Sequence, residues 1–142
     1  MKIDQVIAFT DGGARGNPGP GGAGAVIYAS DGRTELATVA EYLGDNITNN
    51  QAEYQAVILA LTKAHELGAT RMDCFLDSEL IVNQLKLEYK VKNQCLQPYF
   101  VKAWNLIQQF KTVTFTHVPR EKNKRADQLV NQALDKQAGK IA

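Results

Sequence analysis

The sequence predicts an α/β fold in which a five-stranded mixed sheet is flanked by helices. Three strand-like segments come first with no helix between them, which predicts an antiparallel meander. The later strand-like segments alternate with helical segments, which predicts strands added in parallel to the same sheet. We expect a single domain, 1–142, because the chain has no internal repeat and no linker long enough to divide it.

The predicted meander occupies the first third of the chain. Residues 5–10 form a buried strand around the run Val-Ile-Ala-Phe. Residues 12–22 are rich in Gly and Pro and are predicted to form a loop. Residues 23–29 and 34–43 then form a hairpin around Asp31-Gly32, a typical two-residue turn.

Helices and strands alternate after the meander. A helix with Asn49 or Asn50 as its N-cap is predicted to end at Gly68, and a strand at residues 72–76 follows. The remaining predicted elements are a helix at 78–87, a helix at 96–110 with Pro98 in its first turn, a strand at 113–118 and an amphipathic helix at 124–137. The predicted order is therefore β-β-β-α-β-α-α-β-α.

The composition and the N-terminal residues bear on where in the cell the protein is expected. No run approaches the ~18 apolar residues of a membrane span, and Met1 to Gln5 carry an early acid and no signal-peptide core. Cys74 and Cys95 lack disulfide or zinc spacing, and Cys74 is predicted to be a small buried hydrophobe. We expect a reduced, cytoplasmic protein without membrane association. The net charge of +1 does not by itself indicate a nucleic-acid binder.

Four acidic residues, Asp11, Glu53, Asp77 and Asp127, are the candidate catalytic groups. Asp11 and Asp77 are predicted at strand ends, and Glu53 and Asp127 in first helical turns, which places all four at one edge of the sheet. Crowded carboxylates raise one another's pKa, so such a cluster predicts neutralisation by divalent cations. Oxygen-only ligands favour Mg²⁺ or Mn²⁺ over Zn²⁺.

Each acid also has an ordinary structural explanation. Asp11 could open a Gly-Gly turn, and Glu53 could form a capping arrangement with Asn50. Asp77 could be an N-cap, and Asp127 could interact with the dipole of the last helix. Taken singly these explanations are stronger, but the convergence of all four acids on one edge favours chemistry.

Four segments of the chain resemble ribonuclease H type 1. They are residues 9–19 (FTDGGARGNPG), 48–53 (TNNQAE), 76–78 (LDS) and 123–127 (NKRAD). They occur in the family's order, span nearly the whole chain and include its four acidic positions. The resemblance is closest to the compact bacterial and archaeal branch without the basic protrusion, and it implies the ribonuclease H-like fold.

The resemblance implies an endonuclease that cleaves the RNA strand of RNA–DNA hybrids with two Mg²⁺ ions, for which Mn²⁺ can substitute. Asp11 would bridge both ions, and Asp127 would complete the ion that activates the attacking water. Glu53 and Asp77 would hold the ion at the leaving oxygen, giving 5′-phosphate and 3′-hydroxyl ends. No obligatory protein partner is implied, and a monomer is expected.

The resemblance also assigns the contacts with the hybrid. A hybrid displays 2′-hydroxyls in a wide minor groove, and amide side chains can both donate to and accept from them. Thr48 would contact a phosphate of the DNA strand. The implied substrate-binding residues are Gly12, Gly13, Asn17, Thr48, Asn49, Asn50, Gln51 and Ser78.

The first departure from the family pattern concerns a catalytic histidine. Many relatives carry it on a loop before the last helix, but residues 119–123 are short and contain no His. His117 belongs to the predicted last strand, so we do not assign it this role. Arg120 or Glu121 are the alternatives.

Two further departures concern the substrate. Only residues 89–93 stand where the best-known bacterial members have a long basic insertion, which predicts weaker and salt-sensitive hybrid binding. Asn46 stands near a basic phosphate contact of some relatives, which predicts a side activity on RNA–RNA duplexes.

Other functional classes fit parts of the sequence. A DNA-cutting nuclease of the same fold, such as a resolvase, could share the acids but not the segment 49–51 or the glycine-rich segment. A four-acid 3′–5′ exonuclease needs a second acid where Gly13 stands. A non-catalytic hybrid-binding module has no evident reason to keep four carboxylates that metals do not compensate.

Overall fold

The computed structural model describes residues 3–139 and confirms the predicted order of elements. Met1 and Lys2, which begin the predicted N-terminal segment, and residues 140–142 lie outside the described residues. Within the described part, no helix is long and apolar enough to cross a membrane. The elements are β1 (Gln5–Ala14), β2 (Gly19–Ala29), β3 (Glu35–Ile47), α1 (Asn49–Glu66), β4 (Arg71–Leu76), α2 (Glu79–Leu85), α3 (Gln97–Ile107), β5 (Thr112–His117), a 3₁₀ turn (Arg120–Lys122) and α4 (Lys124–Gln137).

The five strands form one mixed sheet with the order β3-β2-β1-β4-β5. β1, β2 and β3 are antiparallel neighbours, whereas β4 runs parallel to β1 and β5 parallel to β4. This topology is the predicted meander followed by parallel addition. The carboxyl ends of β1, β4 and β5 therefore meet at one edge of the sheet, where ligands bind in open α/β sheets.

Helices cover the two faces of the sheet. α1 packs on β1 and β2 over a buried core that includes Val6, Ile27 and Leu61. Cys74 lies in the same core and is fully buried, as predicted. α4 crosses β2 so closely that a Cβ on Gly24 would lie 2.5 Å from the carbonyl oxygen of Ala126.

The prediction of a loop over residues 12–22 is wrong at both ends. β1 continues to Ala14 and β2 begins at Gly19, with the register Gly12↔Ala23, Gly13↔Gly22 and Ala14↔Gly21. Glycine is usually depleted in strands, but here it permits a close approach. A Cβ on Gly12 would lie 2.2 Å from the carbonyl carbon of Ala52 in α1.

The hairpin between β2 and β3 is confirmed, but its predicted two-residue turn is wrong. The connection between the strands runs from residue 30 to residue 34. The Asp31 carboxylate accepts from the N–H groups of Arg33 and Thr34 at 2.8 and 2.9 Å. The aspartate thus closes a longer turn by satisfying main-chain donors.

Candidate active site

Asp11 and Asp77 stand side by side where β1 and β4 separate. The last residue pair between these strands is Thr10↔Leu76. Asp11 follows Thr10 within β1, and Asp77 is the first residue after β4. β1 does not end at Asp11, contrary to prediction, because it continues along β2. Its pairing with β4 does end there, so Asp11 still lies at the carboxyl edge of the parallel strands.

Glu53 reaches the same edge from α1, although not from the first turn of the helix as predicted. The N-cap is Thr48 rather than Asn49 or Asn50. The Thr48 hydroxyl accepts from the N–H of Gln51 at 3.2 Å, and the Gln51 side chain accepts from the N–H of Thr48 at 3.0 Å. This reciprocal capping box does not involve Glu53, which is therefore available for the site.

The three acids Asp11, Glu53 and Asp77 form a compact cluster. One carboxylate oxygen from each lies within 4.8 Å of the others. Asp11 and Glu53 are only 7% and 8% exposed. Burial, reinforced by the charge of Asp77, raises the pKa of Asp11 to about 7. Burial, followed by the charge of Asp11, raises the pKa of Glu53 well above its usual range.

This donor set fits a hard divalent cation. Carboxylate oxygens are the ligands that Mg²⁺ and Mn²⁺ prefer. Among residues 3–139, the Oε2 atom of Glu53 is buried and has no hydrogen-bond partner. A cation would satisfy this oxygen and would offset both the burial of the carboxylates and the repulsion between them.

Asp127 faces the cluster from the first turn of α4, as predicted. It lines the same cleft of ≈ 380 Å³ as the other three acids. Its carboxylate lies 3.7 Å from the Arg120 guanidinium, and the Asn131 amide donates to it at 3.5 Å. The cleft is therefore lined by acids from β1, from the residue that follows β4 and from two helices.

The predicted substrate-binding residues fall into two groups. Gly12, Gly13 and Asn49 line the cleft. The lining does not include Asn17, Thr48, Asn50, Gln51 or Ser78.

Hydrogen bonds explain part of this division. The Asn49 side chain accepts from the N–H of Ala14 at 2.8 Å, and the Asn17 side chain accepts from the N–H of Asn49 at 3.1 Å. These bonds join the turn after β1 to the start of α1. Ser78 caps α2 by accepting from the N–H of Ile81 at 3.3 Å, so the ordinary explanation of Asp77 as an N-cap is wrong.

The connection after β5 bears on the missing histidine. His117 belongs to β5, as predicted, and is the last residue of that strand. It is exposed and lies outside the lining of the cleft. Glu121 is exposed and also lies outside the lining. Arg120 lines the cleft beside Asp127, so it is the better placed of the two alternatives.

Three residues at the site are not predicted as functional residues from the sequence. Arg15 lines the cleft and forms an ion pair with Asp135 at 2.6 Å. Asn131 lies one helical turn after Asp127, a spacing that could have revealed it. Asn123 precedes α4 and resembles an ordinary cap in the sequence, but its side chain is buried and turns toward the sheet.

Comparisons with known proteins extend over most of the chain. A family model described as "Reverse transcriptase-like" matches residues 9–133. The Mycobacterium tuberculosis protein named "Bifunctional protein Rv2228c" is 42% identical over 138 residues, which are 97% of this chain and 38% of that protein. The protein named "Ribonuclease H" from Verminephrobacter eiseniae is 33% identical over 158 residues, covering 99% and 97% of the two chains.

Solved structures show the same architecture. The N-terminal RNase H domain of the mycobacterial protein matches with a TM-score of 0.92, covering 98% of this chain and 99% of that chain. LC11-RNase H1 in complex with an RNA/DNA hybrid matches with a TM-score of 0.88 and 43% identity, covering 94% and 99%. The likeness therefore concerns the whole sheet and its helices, whereas the chain spans 38% of the mycobacterial protein's length.

Proposed function

Because the chain belongs to the ribonuclease H family, we propose that it hydrolyses the RNA strand of RNA–DNA hybrids, as a single ribonuclease H domain spanning residues 1–142. The observation that carries this proposal is the meeting of Asp11, Glu53 and Asp77 within 4.8 Å, in a cleft that Asp127 also lines. The solved complex of LC11-RNase H1 with a hybrid supports the substrate class.

The four acids are proposed to hold two Mg²⁺ ions, which Mn²⁺ can replace. When bound, such ions would activate water and neutralise charge on the phosphate. The product ends proposed for this chain, a 5′-phosphate and a 3′-hydroxyl, are those that the family resemblance implies. The protein contributes preorganisation, because the carboxylates lie on β1, α1 and α4 and directly after β4, and the packing of those elements holds them.

The glycine-rich edge is proposed to receive the sugar–phosphate backbone. Nothing lies within 4 Å of the Cβ position of Gly13, so the strand surface there is open to a ligand. The hydrogen bonds of Asn17 and Asn49 fix the neighbouring turn. The N–H₂ group of Gln51, whose carbonyl oxygen serves the cap, is a proposed donor to the minor groove.

Cleavage of one end-labelled sequence in four forms tests the proposal. The forms are RNA–DNA, RNA–RNA, DNA–DNA and single-stranded RNA, each with Mg²⁺, Mn²⁺ or chelator. We expect metal-dependent cutting of RNA in the hybrid, with a slower reaction on RNA–RNA. Cutting of DNA–DNA would favour the DNA-cutting alternative. Binding without cutting under either metal would favour the non-catalytic module.

Substitution of His117 and Arg120 tests the role of the connection after β5. His117→Ala is expected to change turnover less than about threefold, since a general acid or base contributes ~10²–10⁴-fold and His117 lies outside the cleft. Arg120→Ala is expected to lower turnover roughly tenfold, because it removes the cation beside Asp127. Steady-state kinetics on the hybrid measure both. A fall of several hundredfold in His117→Ala would make His117 the catalytic histidine.

Hybrid binding is expected to weaken strongly with salt. If about three phosphates are contacted, affinity falls roughly 40-fold between 50 and 200 mM salt. Fluorescence anisotropy with the Asp11→Asn variant measures binding without cleavage. An affinity that stays flat over this range would contradict a binding mode based on a few phosphate contacts.

We also expect the protein to be a monomer, and sedimentation velocity measures its oligomeric state.

A further inference from the structure

We propose that Asn123 is a positioning residue that sets the spacing of the metal-binding carboxylates. This inference rests on the metal site of the proposed function and adds a residue outside its ligands. Asn123 lies between the 3₁₀ turn and α4 and is only 1% exposed. It contacts the segments that carry three of the four acids.

The contacts of Asn123 are specific. Its Nδ2 atom donates to the carbonyl oxygen of Thr10, the residue before Asp11, at 2.8 Å. The same nitrogen donates to Oδ2 of Asp77 at 3.3 Å. Its main-chain carbonyl accepts from the N–H of Asp127 at 3.1 Å. One residue therefore joins β1, the residue that follows β4 and the first turn of α4 at the acidic edge.

The position of Asn123 shows how its hydrogen bonds can influence the spacing of Asp11 and Asp77. Pairing between β1 and β4 ends at Thr10↔Leu76, so Asp11 and Asp77 lie beyond the last pair of this ladder. The two acids are therefore not themselves paired by main-chain hydrogen bonds between these strands. The Asn123 amide bridges the gap, because it holds the Thr10 carbonyl and the Asp77 carboxylate with a single NH₂ group.

The ordinary explanation of an asparagine at the start of a helix does not apply. The Asn123 side chain makes no capping hydrogen bond to α4. Its Oδ1 atom is buried and lacks a hydrogen-bond partner among residues 3–139. Orphaned buried oxygens are unfavourable, whereas an apolar side chain would avoid the orphan. The NH₂ group is thus the part of the Asn123 side chain that makes hydrogen bonds, and it donates to both of its partners, the Thr10 carbonyl and the Asp77 carboxylate.

The inference is tested by measuring Mn²⁺ binding to the full chain. Calorimetry gives the affinity, and the electron paramagnetic resonance signal of free Mn²⁺ gives it independently. Asn123→Ala is expected to weaken Mn²⁺ binding about tenfold, the size usual for residues that orient metal ligands. In cleavage assays its turnover should be low at limiting Mg²⁺ and recover as Mg²⁺ is raised, with the KM for hybrid unchanged. Asn105→Ala, on the exposed side of α3, is the control and should match the parent.

Mn²⁺ affinity within twofold of the parent would overturn the inference, whatever happens to the melting temperature. Turnover that Mg²⁺ cannot restore would also overturn it, since a purely structural loss does not respond to metal. If Asn123→Ala does not fold, Asn123→Leu, which fills a similar volume and has no side-chain donor, is judged by the same criteria. A parent that binds Mn²⁺ but cuts no hybrid would refute the proposed function alone, and a parent that binds no Mn²⁺ would refute both.

Discussion

Asp11→Asn is expected to abolish metal-dependent cleavage and to make the metal-free protein more stable. The carboxylate is 7% exposed and lies beside Glu53 and Asp77. An amide of the same size keeps the packing but removes a charge that the folded state accommodates poorly. It also removes an oxygen ligand from the centre of the proposed metal site. Activity and stability should therefore move in opposite directions.

The pH dependence of this effect follows from the raised pKa of Asp11. The pKa rises from 3.8 to about 7 on folding, mainly through burial. Between these values the folded state holds a proton that the unfolded state has released, so the stability of the metal-free protein falls as the pH rises. One pKa unit corresponds to about 1.4 kcal/mol. We therefore expect Asp11→Asn to add on the order of 2 kcal/mol at pH 8 with chelator, and much less near pH 4.

Urea unfolding with chelator at pH 4 and pH 8 measures this difference. Asp31→Asn is a matched control with the opposite sign. Hydrogen bonds from Thr34 and Arg33 lower the pKa of Asp31 to about 2, so the ionised form stabilises its turn. That variant should be less stable at neutral pH and should cleave normally. Mg²⁺-dependent cleavage by Asp11→Asn would refute the assignment of Asp11 as a ligand.

Gly12→Ala is expected to be the most destabilising single-methyl change near the site. The added Cβ would lie 2.2 Å from both the carbonyl carbon and the oxygen of Ala52, and 2.5 Å from the nitrogen of Glu53. These are main-chain atoms of α1 and cannot rotate away. β1 and α1 would have to separate, which would also move Asp11 away from Glu53. We expect a loss of about 3 kcal/mol or more, and loss of cleavage.

Gly13→Ala is the control, because it places the same methyl group on the next residue of the same strand. Nothing lies within 4 Å of that Cβ position, so stability should change by less than about 0.5 kcal/mol. Hybrid affinity should nevertheless fall, since Gly13 lines the cleft. Thermal unfolding and anisotropy separate the two effects. Equal destabilisation by both substitutions would contradict the close approach of β1 to α1.

The sequence predicts the order of the elements well and their limits less well. Apolar alternation and helical periodicity are local signals, and they identify each strand and helix of the described sheet. The sequence does not predict the end of β1 or the start of β2, because residues 12–22 have a composition typical of turns. These residues nevertheless pair as strands, and their glycines allow the close contacts of the sheet with α1 and α4. The cap of α1 is missed because two asparagines obscure the adjacent Thr48-x-x-Gln51 capping box.

The candidate site is predicted only in part for a similar reason. The acids can be identified because each follows a recognisable element, and the structure places Asp11, Glu53 and Asp77 together. Asn123 cannot be identified in this way. Its inward direction depends on how closely α4 approaches β1, and that distance is set by residues remote in sequence.

The place of α4 in the chain has a consequence for biosynthesis. Asp127 lies on this helix, which follows every strand and every other helix of the described sheet. As the polypeptide emerges from the ribosome, three of the acids are available well before the fourth. The last wall of the cleft is added only when α4 docks on β2. A nascent chain interrupted before this helix would thus lack one of the four proposed ligands, and the proposed site would be complete only after α4 has docked.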